Sequence, residues 1–294
     1  MAESSTWETS PHSPASPGRT AREIALAKPL PERVEWAELG PEFFTAWGYP
    51  RGEFTPEHME ILGQTGRGKS FFEKTILMER ARLRGSRIVV VATKPADKTL
   101  TSTGWPIVEH WPPAQGWRKK RRDFHQVIFW AKTKGLGRDA RVRQSQKIED
   151  LLEKLWVPDS NIIVVFDEIA YVEKELGLRP HVERYFREGR SIGITVVATT
   201  QRPQGVTRYM HSESAWSVFF APKDEEDAER MAQVAGNKLY YRRVLSELKA
   251  SEFEFLLVHN LSGEAYISSL PKRRIPMRIN NGSREVSKTV VPVS

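Results

Sequence analysis

Gly63, Gln64, Thr65, Gly66, Arg67, Gly68, Lys69 and Ser70 form an unbroken G-x-x-x-x-G-K-[ST] pattern, the P-loop signature. The chemistry of that spacing is phosphate binding. Its glycines let the backbone turn sharply and approach phosphate oxygens. The N–H groups of the turn and of the following helix N-terminus then cradle the negative charge. A lysine at the place of Lys69 reaches the β- and γ-phosphates, and a hydroxyl at that of Ser70 ligates Mg²⁺. The expected ligands are therefore ATP and Mg²⁺, with all eight residues lining the site.

Two further strand ends carry reactive groups. The apolar run Asn161 to Phe166 delivers Asp167 and Glu168. Asp167 is expected to hold Mg²⁺ through water, and Glu168 to polarise an attacking water, which favours hydrolysis over transfer to a small acceptor. The run Ile194 to Thr200 ends in Gln201, Arg202 and Pro203, where a glutamine can sense a γ-phosphate and orient water. Read alone, each is also how an ordinary strand leaves for a loop. The P-loop gives them chemical weight.

The elements that must position these groups alternate. Strands are expected at residues 59–62, 87–92, 126–131, 161–167, 192–199 and 215–221, with a terminal pair at 253–259 and 264–268. Helices are expected at 69–84 (ended by Gly85), 145–156, 182–190 and 225–235 (ended by Gly236). Near-continuous apolar strands alternating with helices predict an α/β fold, a mainly parallel sheet with helices on both faces. In such sheets ligands bind outside the carboxyl ends of the strands. Trp36, Leu39, Phe43, Phe44 and Trp47 recur at spacings of three and four, which predicts a short amphipathic helix in an N-terminal arm. The arm (21–58) precedes the P-loop α/β domain (59–272). A Ser-, Thr- and Pro-rich tail (1–20), expected to be disordered, and a basic tail (273–294) flank them.

The 294 residues contain no cysteine, which excludes disulfides and cysteine-based metal sites. No run of about 18 apolar residues exists, so no membrane-spanning helix is expected. The N-terminus has no apolar h-region, so no signal peptide is expected, and the expected setting is cytoplasmic, with which the lack of cysteine is compatible. The net charge of +8 favours an anionic partner, most often nucleic acid, although solubility alone is the plainer explanation. Basic residues concentrate at Arg118 to Arg122 and again at Lys132, Lys134, Arg138, Arg141 and Arg143, the latter read as a loop. Trp105, Trp111 and Trp117 are candidates for stacking on bases, or for packing an insertion onto the core. Gly189 to Gly193 also reads G-x-S-x-G, but its order of helix, turn, strand is the reverse of a hydrolase elbow.

Together these motifs resemble the FtsK–HerA superfamily of DNA-pumping ATPases. Arg187-Glu188-Gly189-Arg190-Ser191-Ile192-Gly193-Ile194, then Thr199-Thr200-Gln201-Arg202-Pro203, is similar to that family's arginine- and glycine-containing turn and its Gln-Arg-Pro strand end. Ala92 to Asp97 falls where the family carries a Lys- and Pro-containing segment, and Phe219 to Pro222 resembles its later strand. The resemblance implies a RecA-like P-loop NTPase core, a homo-oligomeric ring expected to be a hexamer, and ATP-driven translocation or packaging of double-stranded DNA. It implies an arginine acting on the neighbouring subunit's γ-phosphate, for which Arg187 and Arg190 match best and Arg202 third. A short chain that is nearly all motor points to a virus, phage or mobile element, acting in host cytoplasm or virion with a portal, capsid or membrane partner. The alternatives are a nucleotide-dependent assembly switch without translocation, and a P-loop kinase of a small molecule.

Overall fold

Runs such as Ile88–Val91 have no polar face, so the sheet they build must be covered on both sides. The computed structural model describes residues 27–48, 56–84, 87–112, 126–133, 137–202 and 204–271, with residues 23 and 135 besides. The expected tails at 1–20 and 273–294, the run Arg118 to Arg122 with Trp117, and Gly85, Lys134 and Pro203 lie outside the described residues.

Ten strands form one sheet: β1 (Glu32–Arg33), β2 (His58–Leu62), β3 (Arg87–Ala92), β4 (Ile107–Val108), β5 (Gln126–Trp130), β6 (Ile162–Phe166), β7 (Ile194–Thr200), β8 (Ser214–Phe220), β9 (Glu254–His259) and β10 (Glu264–Ser269). Their order across the sheet is β1-β10-β9-β8-β2-β7-β6-β3-β5-β4. From β8 to β4 every pairing is parallel. Only β9 runs antiparallel to its neighbours, β8 and β10. The helices are α1 (Trp36–Gly48), α2 (Lys69–Arg84), α3 (Lys98–Thr101), α4 (Arg138–Leu155), α5 (Arg179–Glu188), α6 (Arg208–Ser212), α7 (Glu225–Val234) and α8 (Lys238–Ser246).

Alternate strand residues feed two cores. Ile88, Val90, Ile163 and Val165 face α1 and α2, while Val89, Val91, Ile162 and Val164 face α4 and α5. Helix α1 buries the five apolar residues that the spacing singles out. Trp36 meets Phe72 of α2 and Phe255 of β9 edge-on, at ring separations of 5.8 and 5.7 Å. The arm thus packs on its own chain's core, where each buried aromatic contributes roughly 2–3 kcal/mol. Trp111 is buried in the second core and Trp105 packs against the first.

Several helices differ from those expected in the sequence reading, α3 and α6 being short additions. Helix α4 begins at Arg138, so the basic segment read as a loop to Arg143 is largely helical. Its first two turns bury only Ala140 and Gln144, which leaves no apolar period to read. Helix α8, absent from that reading, buries Tyr240, Tyr241, Val244 and Leu245 on one face.

His58 opens β2 and fixes it from below. Its Nδ1 accepts the Val196 N–H of β7 (2.9 Å), so the proton sits on Nε2, which donates to the Phe186 carbonyl of α5 (3.0 Å). Burial pushes its pKa down to about 3, against some help from the Phe186 hydrogen bond. Between the unfolded value of 6.5 and about 3, only the unfolded chain takes up this proton. The resulting stability is fully present above that window and is lost as pH falls through it. Chemical denaturation at stepped pH should therefore show stability declining below about pH 6.5, by up to ~1.4 kcal/mol per pH unit from this group. In His58→Asn the protein should start less stable at neutral pH and show a shallower decline.

Candidate nucleotide-binding site

β2, β7 and β6 are adjacent and parallel, so their carboxyl ends emerge at one edge. Gly63, Gln201 and Asp167 follow or nearly follow those ends. The P-loop leaves β2 with the Gly63 N–H donating to the Thr200 carbonyl (3.3 Å). A Cβ on Gly63 would lie 2.7 Å from Phe220 Cβ, so only glycine fits there. Gly68 adopts φ +104°, in the region that disfavours side chains, and its Cα side faces the rings of Phe220 and Phe253. Lys69 donates to the Gln64 carbonyl (3.2 Å), curling over its own loop. Ser70 follows in the first turn of α2, and Gln64 Nε2 donates to Asp227 of α7 (2.8 Å).

A chain of side-chain hydrogen bonds crosses the three strand ends. Thr65 Oγ1 donates to Gln201 Oε1 (2.7 Å), and Gln201 Nε2 donates to Glu168 Oε2 (3.2 Å). Thr200 Oγ1 donates to the other oxygen of Glu168 (3.3 Å). The sequence-derived residues Thr65, Gln201 and Glu168 are thereby joined, and Lys69 and Asp167 lie near enough to act on Glu168 through their charges. The loop after Gln201 is tied down as well: the Thr207 N–H reaches both carboxylate oxygens of Glu173 (3.1 and 2.9 Å), on the π-helical turn Tyr171–Glu175 that follows Glu168. Burial pushes Glu173 up to about 7.

The site is rich in carboxylates. Lys94, just beyond β3, pairs with Asp167 (2.9 Å) and Asp97 (3.4 Å). Asp97 also caps α3 through the Leu100 N–H (2.9 Å). Burial raises the pKa of Asp167, and Lys94 opposes the rise. Burial likewise raises Glu168, against Lys69, Thr200 and Gln201. Glu73, one turn along α2 from Lys69, is buried with Oε2 unpartnered, and burial plus the Asp167 charge lift its pKa well above the usual range. Burial lowers the Lys69 pKa, with Glu168 pulling it back. For Lys94 burial acts downward, but Asp167 and Asp97 outweigh it and the pKa is raised.

This donor set suits Mg²⁺. The Ser70 hydroxyl and the Asp167 carboxylate are hard oxygen donors, and Glu73 Oε2 is a further buried oxygen near Asp167 without a hydrogen-bond partner. Lys94 and Glu73 were given no role in the sequence reading. The position of Lys94 straight after a buried strand was the available signal; Glu73 sits in an ordinary helix sequence and had none.

The arginines lie elsewhere. Arg187 ends α5 with its guanidinium 5.3 Å from the centre of the Tyr209 ring, and Arg190 is exposed on the 3-10 turn Gly189–Ile192. Both precede β7, whereas Gln201 follows it. Seven residues of strand, roughly 20 Å at about 3.3 Å each, separate them from the P-loop edge of their own chain. Arg202 lies on the P-loop edge, next to Gln201.

No family model matches the sequence, and no curated protein matches it. Solved structures do. The DNA-packaging ATPase B204 from Sulfolobus Turreted Icosahedral Virus aligns with a TM-score of 0.54, covering 75% of this chain and 100% of its own, at 13% identity. The genome packaging NTPase B204 from Sulfolobus turreted icosahedral virus 2, in complex with AMPPCP, aligns at 0.51 over 74% and 98%, also at 13% identity. The chain has the P-loop NTPase fold. VirB4 of Thermoanaerobacter pseudethanolicus aligns at 0.54 over 74% of this chain and 90% of its own, at 12% identity. At these identities the likeness is one of fold.

Alanine at Gly63 or Gly68 tests the loop. Gly63→Ala must displace Phe220, and Gly68→Ala adds left-handed strain of about 1–2 kcal/mol. Titration with a fluorescent ATP analogue should show each losing at least ~10-fold in affinity, since about 1.4 kcal/mol of misfit suffices. Wild-type affinity in both would show that this loop does not hold the phosphates.

Proposed function

We propose that the protein is a Mg²⁺-dependent ATPase whose homo-oligomeric ring, a hexamer by family resemblance, translocates or packages double-stranded DNA. The observation that carries the ATPase reading is the hydrogen-bond chain from Thr65 through Gln201 to Glu168. It links the phosphate loop to a carboxylate through a side chain able to sense what the loop holds. Glu168 is the group that takes up the proton of the attacking water, and Gln201 orients that water and reports the γ-phosphate. Lys69 swings from the Gln64 carbonyl to the β- and γ-phosphates. Ser70 and Asp167 would hold the metal, Asp167 through water, and Mg²⁺ bound there would supply positive charge against the charge that develops on the phosphates. Arg187 and Arg190, a strand length from their own P-loop, act on the neighbouring subunit's γ-phosphate, where a guanidinium stabilises developing charge.

The DNA reading is supported by the net charge of +8 and by the likeness in fold to viral packaging ATPases. On this reading the protein belongs to a virus, phage or mobile element and works in host cytoplasm or virion beside a portal, capsid or membrane partner.

Glu168→Gln should keep ATP binding and lower kcat by about 10²-fold or more, the usual worth of a positioned base. Turnover persisting at the wild-type rate would remove Glu168 from this role. The ATPase rate should rise with added linear duplex DNA, more than with single-stranded DNA, and the stimulation should weaken as salt is raised. A rate indifferent to DNA in preparations that form rings would favour the nucleotide-dependent assembly switch.

A further inference from the structure

Phe253 stands out among the described aromatic residues. It closes the 3-10 turn Ala250–Glu252 with φ 55° and ψ 34°, a left-handed conformation that glycine adopts freely and a bulky side chain rarely does. The turn is clamped around it. The Phe253 N–H donates to the Ala250 carbonyl (3.2 Å) and the Glu254 N–H to the Lys249 carbonyl (3.2 Å). The Glu254 carboxylate accepts the Lys249 N–H (2.8 Å) and pairs with Arg33 (3.2 Å). Strain of this kind persists only where surrounding structure over-determines it, and it clusters at ligand sites.

The ring is not spent on packing. Phe253 is 43% exposed, whereas Phe255, two residues on, is fully buried. One side of Phe253 lies against the phosphate loop: a Cβ on Gly68 would sit 3.4 Å from its Cδ1 and 3.2 Å from Phe220 Cε1. The pairing of Phe220 with Phe255 places the turn at the carboxyl end of β8, the strand next to β2. An open aromatic face is thus held rigidly at the edge of the P-loop. A turn without a ligand would be served better by glycine or asparagine.

We propose that Phe253 is the platform on which the base of the bound nucleotide stacks, an inference that rests on the nucleotide-site reading above. Stacking of a base on an aromatic ring tolerates different bases and adds to affinity without touching the phosphates. The residue is therefore an affinity determinant rather than part of the hydrolytic machinery.

The test compares binding of ATP and of inorganic tripolyphosphate, both with Mg²⁺, by calorimetry on wild type, Phe253→Ala, Phe253→Gly and Phe253→Trp, with thermal unfolding alongside. Phe253→Ala should lose roughly tenfold in ATP affinity and nothing in tripolyphosphate affinity. Phe253→Trp should retain ATP binding. Phe253→Gly should unfold at a higher temperature than wild type, yet bind ATP as weakly as Phe253→Ala. Unchanged ATP affinity in Phe253→Ala, equal losses for both ligands, or a change confined to oligomer size would each overturn the platform. Wild type that binds neither ligand would overturn the nucleotide site itself, a result separate from loss of base dependence alone.

Discussion

Everything at the P-loop edge depends on β7 being wedged between β2 and β6, parallel to both. Neighbouring strands lie about 4.8 Å apart, so groups leaving three consecutive strands stay within reach of short side chains. Thr65, Gln201 and Glu168 are joined for that reason. The same wedge is held at its other end by His58, which ties β2 to β7 and to the end of α5. A displacement of β7 would therefore alter the phosphate loop, the carboxylate and the turn bearing Arg190 together.

Charge is the second constraint. Four carboxylates, Glu73, Asp97, Asp167 and Glu168, meet two lysines, Lys69 and Lys94. Burial disfavours the charged forms of Glu73, Asp167, Glu168 and Lys69, whereas Asp167 and Asp97 hold the Lys94 ammonium charged. A divalent cation beside these carboxyls would draw them towards their ionised forms. Lys94 occupies Asp167 in the meantime, and the ion pair keeps that carboxylate oriented.

The chemistry was legible in the sequence wherever it depends on contiguous residues. The P-loop spans eight consecutive positions, and each of the other two strand ends announces itself by an apolar run breaking into polar groups. The parallel core was legible for the same reason, since Ile88–Val91 and Ile162–Phe166 have no solvent face. What stayed hidden depends on residues distant in sequence. The unpartnered oxygen of Glu73 acquires meaning only beside Asp167, more than ninety positions away. Phe253 looks like any strand-opening aromatic until its left-handed backbone and its contact with Gly68 are known. The start of α4 was hidden by its own charge, because two turns that bury an alanine and a glutamine carry no periodic signal.

The sheet also ends, on both sides, in strands of two residues, β1 and β4. Long exposed strand edges invite another chain to add a strand, and natural sheets commonly shorten them. Here the outermost ladder is too brief to template such an addition among the described residues. Copies of this chain are thereby steered away from merging backbones into a continuous ribbon. Any contact between copies would then run through helices and loops and leave the sheet of each intact.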